Sequence, residues 1–176
     1  MKILLTYPIN TDSAAFYKLI SEDDLQREFS NFRNYTSDDS EAEMDYWETQ
    51  ADSVWPSFMR LIRVTEKDWL PQNTVWNDEN SRLVGFISHT ETSGIDRDLS
   101  GMNYLIGFGL AEWCRGLGIM PIALGMTLQR MREERMNVAS CYVKHGNRSS
   151  ERVLEKCGFE MARSHEFGMT FIKHLI

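Results

Sequence analysis

Between Leu105 and Gly125 the chain passes from an apolar strand, through Cys114-Arg115-Gly116-Leu117-Gly118-Ile119-Met120, into a helix. This unit constrains the fold more than any other stretch. Two glycines at a helix start expose several backbone N–H groups that have no acceptor inside the helix. These groups converge with the positive end of the helix dipole, an arrangement suited to a phosphate or pyrophosphate. Glycine lets backbone approach such a ligand closely, and Pro121 suits the first turn, where a missing N–H costs little. Arg-Gly-x-Gly also serves as an ordinary strand-to-helix turn, so the loop alone leaves both readings open. A dinucleotide-binding fingerprint is excluded, because the strand–G-x-G-x-x-G spacing and its downstream acidic residue are missing. A Walker-type loop is excluded because no Gly-Lys-Ser/Thr follows.

The flanking pattern surrounds this unit with alternating elements. Lys2–Tyr7 reads as a strand, and Thr11 or Asp12 caps a helix bearing Ala15, Phe16, Leu19 and Ile20 on one face. A short helical segment carries Leu25 and Phe29. Ser40 with Glu43 forms a capping box for a helix with Met44, Trp47 and Ala51 on one stripe. The acidic Asp38, Asp39, Glu41 and Glu43 lie at its positive end. Strands follow at 57–64 and 82–90, paired around a long insertion at 65–80 that contains Pro71. Asn103–Leu110 is an apolar strand in which Gly107 and Gly109 mark a bulge or a close approach. A helix from about Ile119 to Met136 buries Leu124, Leu128 and Met131. The remainder reads as a strand at Val138–Val143, a helix at Asn147–Lys156 ended by Gly158, and strands at Glu160–His165 and Met169–His174. The order predicts an α/β (α+β) fold: a single mixed, mostly antiparallel central sheet with helices on both faces, in one domain over 1–176.

Composition narrows the function classes. No apolar run is long enough to span a bilayer, and the apolar part of Met1–Tyr7 is too short for a secretory signal, so a cytoplasmic protein is expected. Cys114, Cys141 and Cys157 offer neither a C-x-x-C pair nor a Cys/His cluster, which argues against disulfides and structural zinc. His89, His145, His165 and His174 have no ligand spacing, so no metal site is expected. Residues 1–100 hold 9 Lys and Arg against 19 Asp and Glu, a net of −10. Residues 101–176 hold 10 against 7, a net of +3. The second half thus suits an anionic ligand, while the first is either a solvated surface or the side that meets a cation.

The loop matches R/Q-x-x-G-x-G/A, the pyrophosphate loop of the GNAT N-acetyltransferases, as Arg115-Gly116-Leu117-Gly118-Ile119-Met120. Met120 departs from the final Gly or Ala. Downstream, Asn147-Arg148-Ser149-Ser150-Glu151-Arg152-Val153-Leu154-Glu155-Lys156-Cys157-Gly158-Phe159 resembles the superfamily's second motif, N-x-x-S-x-R-V-L-E-K-x-G-F. The likeness is greatest to the branch that acetylates ribosomal-protein N-termini. It covers residues 102–160 well and residues 1–90 only in the order of elements.

The resemblance implies an N-acetyltransferase that takes its acetyl group from acetyl-CoA. It implies pairing of pantetheine with the backbone at Phe108 and Leu110, with Gly107 and Gly109 providing a bulge. Backbone N–H groups of Arg115, Gly116, Leu117, Gly118, Ile119 and Met120 would hold the pyrophosphate. Asn147 would bond the pantetheine or adenosine, and Ser150 would lie by the thioester sulfur. The usual tyrosine proton donor is replaced by Leu154, which leaves Ser150 as the candidate donor, or as a helix hydroxyl satisfying nearby backbone. The usual glutamate is replaced by Leu105, with Glu91, His89, Tyr104, Tyr142 and His145 as substitute bases. The acceptor is expected to be an amine, a small molecule or a protein N-terminus. No membrane partner is expected, the net charge argues against nucleic acid despite Lys144, Arg148 and Arg152, and a homodimer is allowed. The alternative is a catalytically impaired GNAT-fold module that binds acyl-CoA.

Overall fold

The computed structural model describes residues 2–50, 58–65, 81–92 and 103–176, the side chains of 91, 92 and 103 aside. The elements in order are β1 (Ile3–Thr6), α1 (Ser13–Ile20), α2 (Asp23–Glu28), α3 (Ser37–Thr49), β2 (Phe58–Val64), β3 (Arg82–Thr92), β4 (Asn103–Leu110), α4 (Ile119–Glu133), β5 (Val138–Lys144), α5 (Arg148–Lys156), β6 (Glu160–Ser164) and β7 (Gly168–His174). The strands form one seven-stranded sheet in the order β1-β2-β3-β4-β5-β7-β6. The mixed, mostly antiparallel sheet expected from the sequence is present. The insertion at 65–80 lies outside the described residues from 66 onward, and Ala51 lies outside them as well.

The residues group into two compact units. One is Met1–Ile87 with Phe108–Ile119, and the other is Ser88–Gly107 with Met120–Ile176. β3 and β4 run through both. In the first unit β1 pairs antiparallel with β2, from Ile3↔Val64 to Thr6↔Leu61. Its core is aromatic: Phe86 meets Phe16, Phe29 and Phe32 at ring-centroid distances of 5.9, 5.3 and 5.8 Å in edge-to-face geometry. Each such contact adds about 0.5–1.5 kcal/mol beyond the area it buries. Gly109 belongs to this packing, because a Cβ there would lie 2.7 Å from the Phe86 ring and 2.9 Å from Leu25. A Cβ on Gly85 would lie 2.4 Å from the Gly109 carbonyl oxygen. The crowding accounts for glycine at both positions without a left-handed backbone at either.

Two helix starts in this unit differ from the sequence expectation. α3 opens four residues early, on Thr36. The Thr36 Oγ1 accepts the Asp39 N–H at 3.2 Å, and the Asp39 carboxylate accepts the Thr36 N–H at 2.8 Å. These bonds to Thr36 hold the Asp39 carboxyl below its ordinary pKa. Ser40, expected as the cap, is buried and donates its hydroxyl to the Ser13 carbonyl at 2.8 Å. Two capping signatures follow one another in the sequence, Thr36–Asp39 and Ser40–Glu43, and burial of Ser40 against α1 selects the earlier one. Asp12 precedes α1 without capping it. Its carboxylate forms a buried ion pair with Arg63, which also donates to Thr6 Oγ1 at 3.2 Å. A buried guanidinium needs its acid partner far more than a helix needs one cap.

In the second unit β4 pairs parallel with β5 over Asn103↔Val138, Tyr104↔Ala139 and Leu105↔Ser140. β5 pairs antiparallel with β7 along its whole length, and β7 with β6. Leu124, Leu128, Met131, Ala139, Val143, Leu154, Phe159 and Phe171 are buried. α4 ends at Glu133, short of the Met136 expected, because Arg135 turns left-handed at φ 60°. The Met136 N–H then bonds the Met131 carbonyl at 3.0 Å, a helix-closing turn usually made by glycine. α5 closes on Gly158 at φ 76°. Lys173 Nζ donates to the Cys157 carbonyl there at 2.7 Å, placing a cation at the negative helix end.

Candidate functional site

β4 continues to Leu110 beyond its last pair with β5, so from Ile106 onward it has no β5 partner among the described residues. Phe108 and Leu110, the expected pantetheine contacts, lie in this stretch and are half-buried. A 3-10 turn, Glu112–Cys114, then leads into the loop. This turn is anchored in the first unit: the Ala111 N–H bonds the Val84 carbonyl at 2.8 Å, the Arg82 guanidinium lies 4.3 Å over the Trp113 ring, and Cys114 is buried. Burial pushes the Cys114 thiol up to about 12, chiefly by desolvation, so it is inert at neutral pH.

The loop itself has two parts. The Arg115 N–H donates to the Glu112 carbonyl at 3.2 Å, so the first of the six expected donors has a partner within the chain. The N–H groups of Gly116, Leu117, Gly118, Ile119 and Met120 have no acceptor among the described residues. Gly116 and Gly118 are left-handed, at φ 78° and 76°, which side chains with a Cβ rarely adopt. A Cβ built on either meets nothing within 4 Å. Steric crowding therefore does not explain these glycines, unlike Gly109. They leave open space beside a row of unsatisfied donors at the start of a fifteen-residue helix. A pyrophosphate fits that chemistry: it brings several acceptor oxygens and the charge the helix end attracts.

The Arg115 side chain does something the sequence did not reveal. Its Nε donates to the Leu110 carbonyl at 3.1 Å, its Nη1 to Asp24 at 2.5 Å, and its Nη2 lies 3.6 Å from Glu22. Glu22 in turn accepts the Glu112 N–H at 2.9 Å. Burial raises the Glu22 carboxyl above its ordinary pKa, offset in part by that N–H and by Arg115. Glu22 and Asp24 lie some ninety residues upstream, and no spacing rule links them to the loop.

In the second unit Asn147 caps α5. Its Oδ1 accepts the Ser150 N–H at 3.2 Å and the Ser149 hydroxyl at 2.9 Å, which leaves its Nδ2 donors without a partner among the described residues. The Ser150 hydroxyl is half-buried and has no hydrogen-bond partner among the described residues. Leu154 is fully buried and Leu105 half-buried. Of the substitute bases, His89 is buried against Tyr104, ring centroids 5.4 Å apart. Tyr104 is itself buried, and its carbonyl accepts the Ser140 hydroxyl at 3.2 Å. Tyr142 is exposed beside the His165 ring, at 5.9 Å. The His145 ring bonds the His165 carbonyl at 2.8 Å. The Glu91 side chain lies outside the described residues. Arg148, one of the basic cluster, pairs with the buried Glu151 at 2.7 Å. Among the described residues no group of His, Cys, Asp and Glu could hold a metal ion, and no helix is long and apolar enough to cross a membrane.

Solved structures with the same fold are numerous. RimL, a ribosomal L7/L12 alpha-N-protein acetyltransferase in complex with coenzyme A, is 14% identical. The match covers 99% of this chain and 94% of that one, with a TM-score of 0.73. The aminoglycoside acetyltransferase AAC(6')-Ib, in complex with paromomycin and acetyl-CoA, is 12% identical over 99% and 94% of the two chains, TM-score 0.70. The microcin C7 self-immunity acetyltransferase MccE, in complex with acetyl-CoA and AMP, is 15% identical over 98% and 92%, TM-score 0.69. At such identities the likeness establishes the fold. Comparison with curated proteins finds no match. The family model for the acetyltransferase (GNAT) domain matches residues 2–160, a span that takes in the unsatisfied loop, both glycines and the Asn147-capped helix. With nine-tenths of the sequence inside that match and the GNAT sheet beneath it, the chain belongs to the GNAT acetyltransferase family.

Proposed function

We propose that this single domain transfers the acetyl group of acetyl-CoA to a primary amine by direct attack on the thioester. The observation that carries the reading is the run of unsatisfied N–H groups from Gly116 to Met120, with open space at both glycines. These groups hold the pyrophosphate. Among the described residues the edge of β4 at Phe108 and Leu110 has no β5 partner and offers backbone groups to the pantetheine amides, the Leu110 carbonyl being already taken by Arg115. Asn147 offers its Nδ2, which has no partner among those residues.

In the reaction, the lone pair of a neutral amine forms a bond to the thioester carbonyl carbon. The carbonyl oxygen gains negative charge, which a backbone N–H near Leu110 stabilises. The amine proton leaves to a base or water chain, because an ammonium has no lone pair to offer. The C–S bond then breaks, and the departing thiolate takes a proton. Ser150 is the donor: its hydroxyl is committed to no other group among the described residues, and it stands where that branch of the family carries serine. The acceptor is a small-molecule amine or a protein N-terminus. Nucleic acid is not a partner, and the protein works in the cytoplasm as a monomer or homodimer.

A second reading, a module that binds acyl-CoA without turnover, draws on Leu154. That residue is fully buried where the family's tyrosine would donate a proton. Calorimetry with CoA and acetyl-CoA, followed by a thiol-release assay over a panel of amines, tests both readings. Binding at micromolar concentrations is expected, with release of thiol on at least one amine. Absence of binding rejects the assignment, and binding without turnover on any amine favours the module.

A further inference from the structure

Each nitrogen of the Arg115 side chain has a partner within its own chain. Its three nitrogens meet the Leu110 carbonyl, Asp24 and Glu22, and Glu22 also holds the Glu112 N–H. The contacts join two segments of the first unit: the junction of α1 and α2, and the stretch from the end of β4 to the start of the loop. Glu22 and Asp24 face the guanidinium, and Asp24 also pairs with Arg27, so part of the Arg115 charge is offset and its nitrogens are directed at groups of its own chain. The bond to Leu110 reaches back five residues and closes the turn on itself.

We propose that Arg115 is a positioning residue that acts through its side chain, with Glu22 and Asp24 as its counterparts. The inference rests on the cofactor reading above. A loop with two left-handed glycines has much conformational freedom to lose on binding. Fixing its first residue to β4 and to the α1–α2 junction removes part of that freedom beforehand and keeps the five N–H groups available together. The same contacts make the order of the cofactor loop depend on α1 and α2, so a change at that junction is felt as a change in cofactor affinity.

The carboxylates give a test in which the two possible roles of Arg115 have opposite signs. If Arg115 bound the phosphates directly, Glu22→Gln and Asp24→Asn would free its charge and remove two negative groups, and CoA would bind as well as before or more tightly. If Arg115 is a clamp, both isosteric changes loosen the loop. Each is then expected to weaken CoA binding by about three- to tenfold, the range of partly exposed, charge-assisted contacts. The KM for acetyl-CoA rises accordingly, while kcat stays within about twofold, because the pair touches no reacting atom. Arg115→Gln gives a similar loss, and Arg115→Gln combined with Asp24→Asn is no worse than Arg115→Gln alone, the signature of coupled partners. Unchanged or tighter CoA binding in both carboxylate variants overturns the proposal, as does full additivity in the double variant. Wild-type protein that binds no CoA overturns the cofactor reading itself, which separates the two failures. Melting curves on the isosteric carboxylate variants confirm that the protein compared is folded.

Discussion

Two helices of this protein begin in opposite ways. α5 starts on Asn147, whose own Oδ1 takes the Ser150 N–H and the Ser149 hydroxyl. α4 starts after Gly116 and Gly118, which have no side chain to offer, and its first N–H groups find no acceptor among the described residues. Both starts obey the same rule, that terminal donors seek partners. One start satisfies part of its demand from within, and the other leaves the demand open over several consecutive residues. The contrast teaches that an anion site is made as much by withholding a cap as by adding a charge. Net charge reinforces it only weakly, since the one cation in the loop is already paired with Asp24 and Glu22.

The largest effect comes from making α4 resemble α5. Gly118→Asp supplies a carboxylate at the open start, and calorimetry should show CoA affinity falling about a hundredfold or more, since like charges a few ångströms apart repel strongly. Undiminished binding by the folded variant means that the loop is not the cofactor site. Ser150→Ala leaves the α5 cap in place, because the bond to Asn147 uses the Ser150 backbone. Thiol-release kinetics should show kcat lower by about a hundredfold, a usual loss for a removed proton donor, with CoA affinity unchanged. An unaltered kcat removes Ser150 from the mechanism. Asn147→Ala strips the cap from α5 and should cost about 1 kcal/mol in a denaturant titration. A parallel drop in CoA affinity would show that Nδ2 also serves the cofactor, and a stability loss alone would confine Asn147 to capping.

The smallest effect concerns pH. Burial pushes the Cys114 and Cys141 thiols up to about 12. Above the ordinary thiol range the unfolded chain loses these protons before the folded one does. Their contribution to stability is therefore complete at neutral pH and is lost as pH rises through about 9 toward 12. Denaturant midpoints measured across that range should fall, and should fall less in a Cys141→Ala variant once its cavity cost at neutral pH is subtracted.

Much of this architecture was legible along the chain. The strand–glycine–helix unit and the Asn147–Phe159 motif name their own elements, because turn glycines, caps and apolar periodicity act over a few residues. Leu124, Leu128 and Met131 were readable as one buried face for the same reason. Where two local signals stand side by side, neighbouring residues do not choose between them. Thr36 and Ser40 each head a plausible capping box, and only the packing of Ser40 against Ser13 separates them. Gly109 read as a bulge or close approach, and contact with Phe86 and Leu25 shows which neighbours demand it.

The sequence by itself determined the family, the order of strands and helices, and the place of the two-glycine loop ahead of α4. All of these rest on interactions between residues close together in the chain. Only the tertiary structure decided the partners of charged side chains. It turned the Asp12 carboxylate to Arg63 rather than to the N–H groups of α1, and it set Arg115 against Glu22 and Asp24. The physical reason is range. A hydrogen-bonded turn is settled by neighbouring backbone, whereas a partly buried charge takes whichever opposite charge the fold brings within a few ångströms, however distant in sequence.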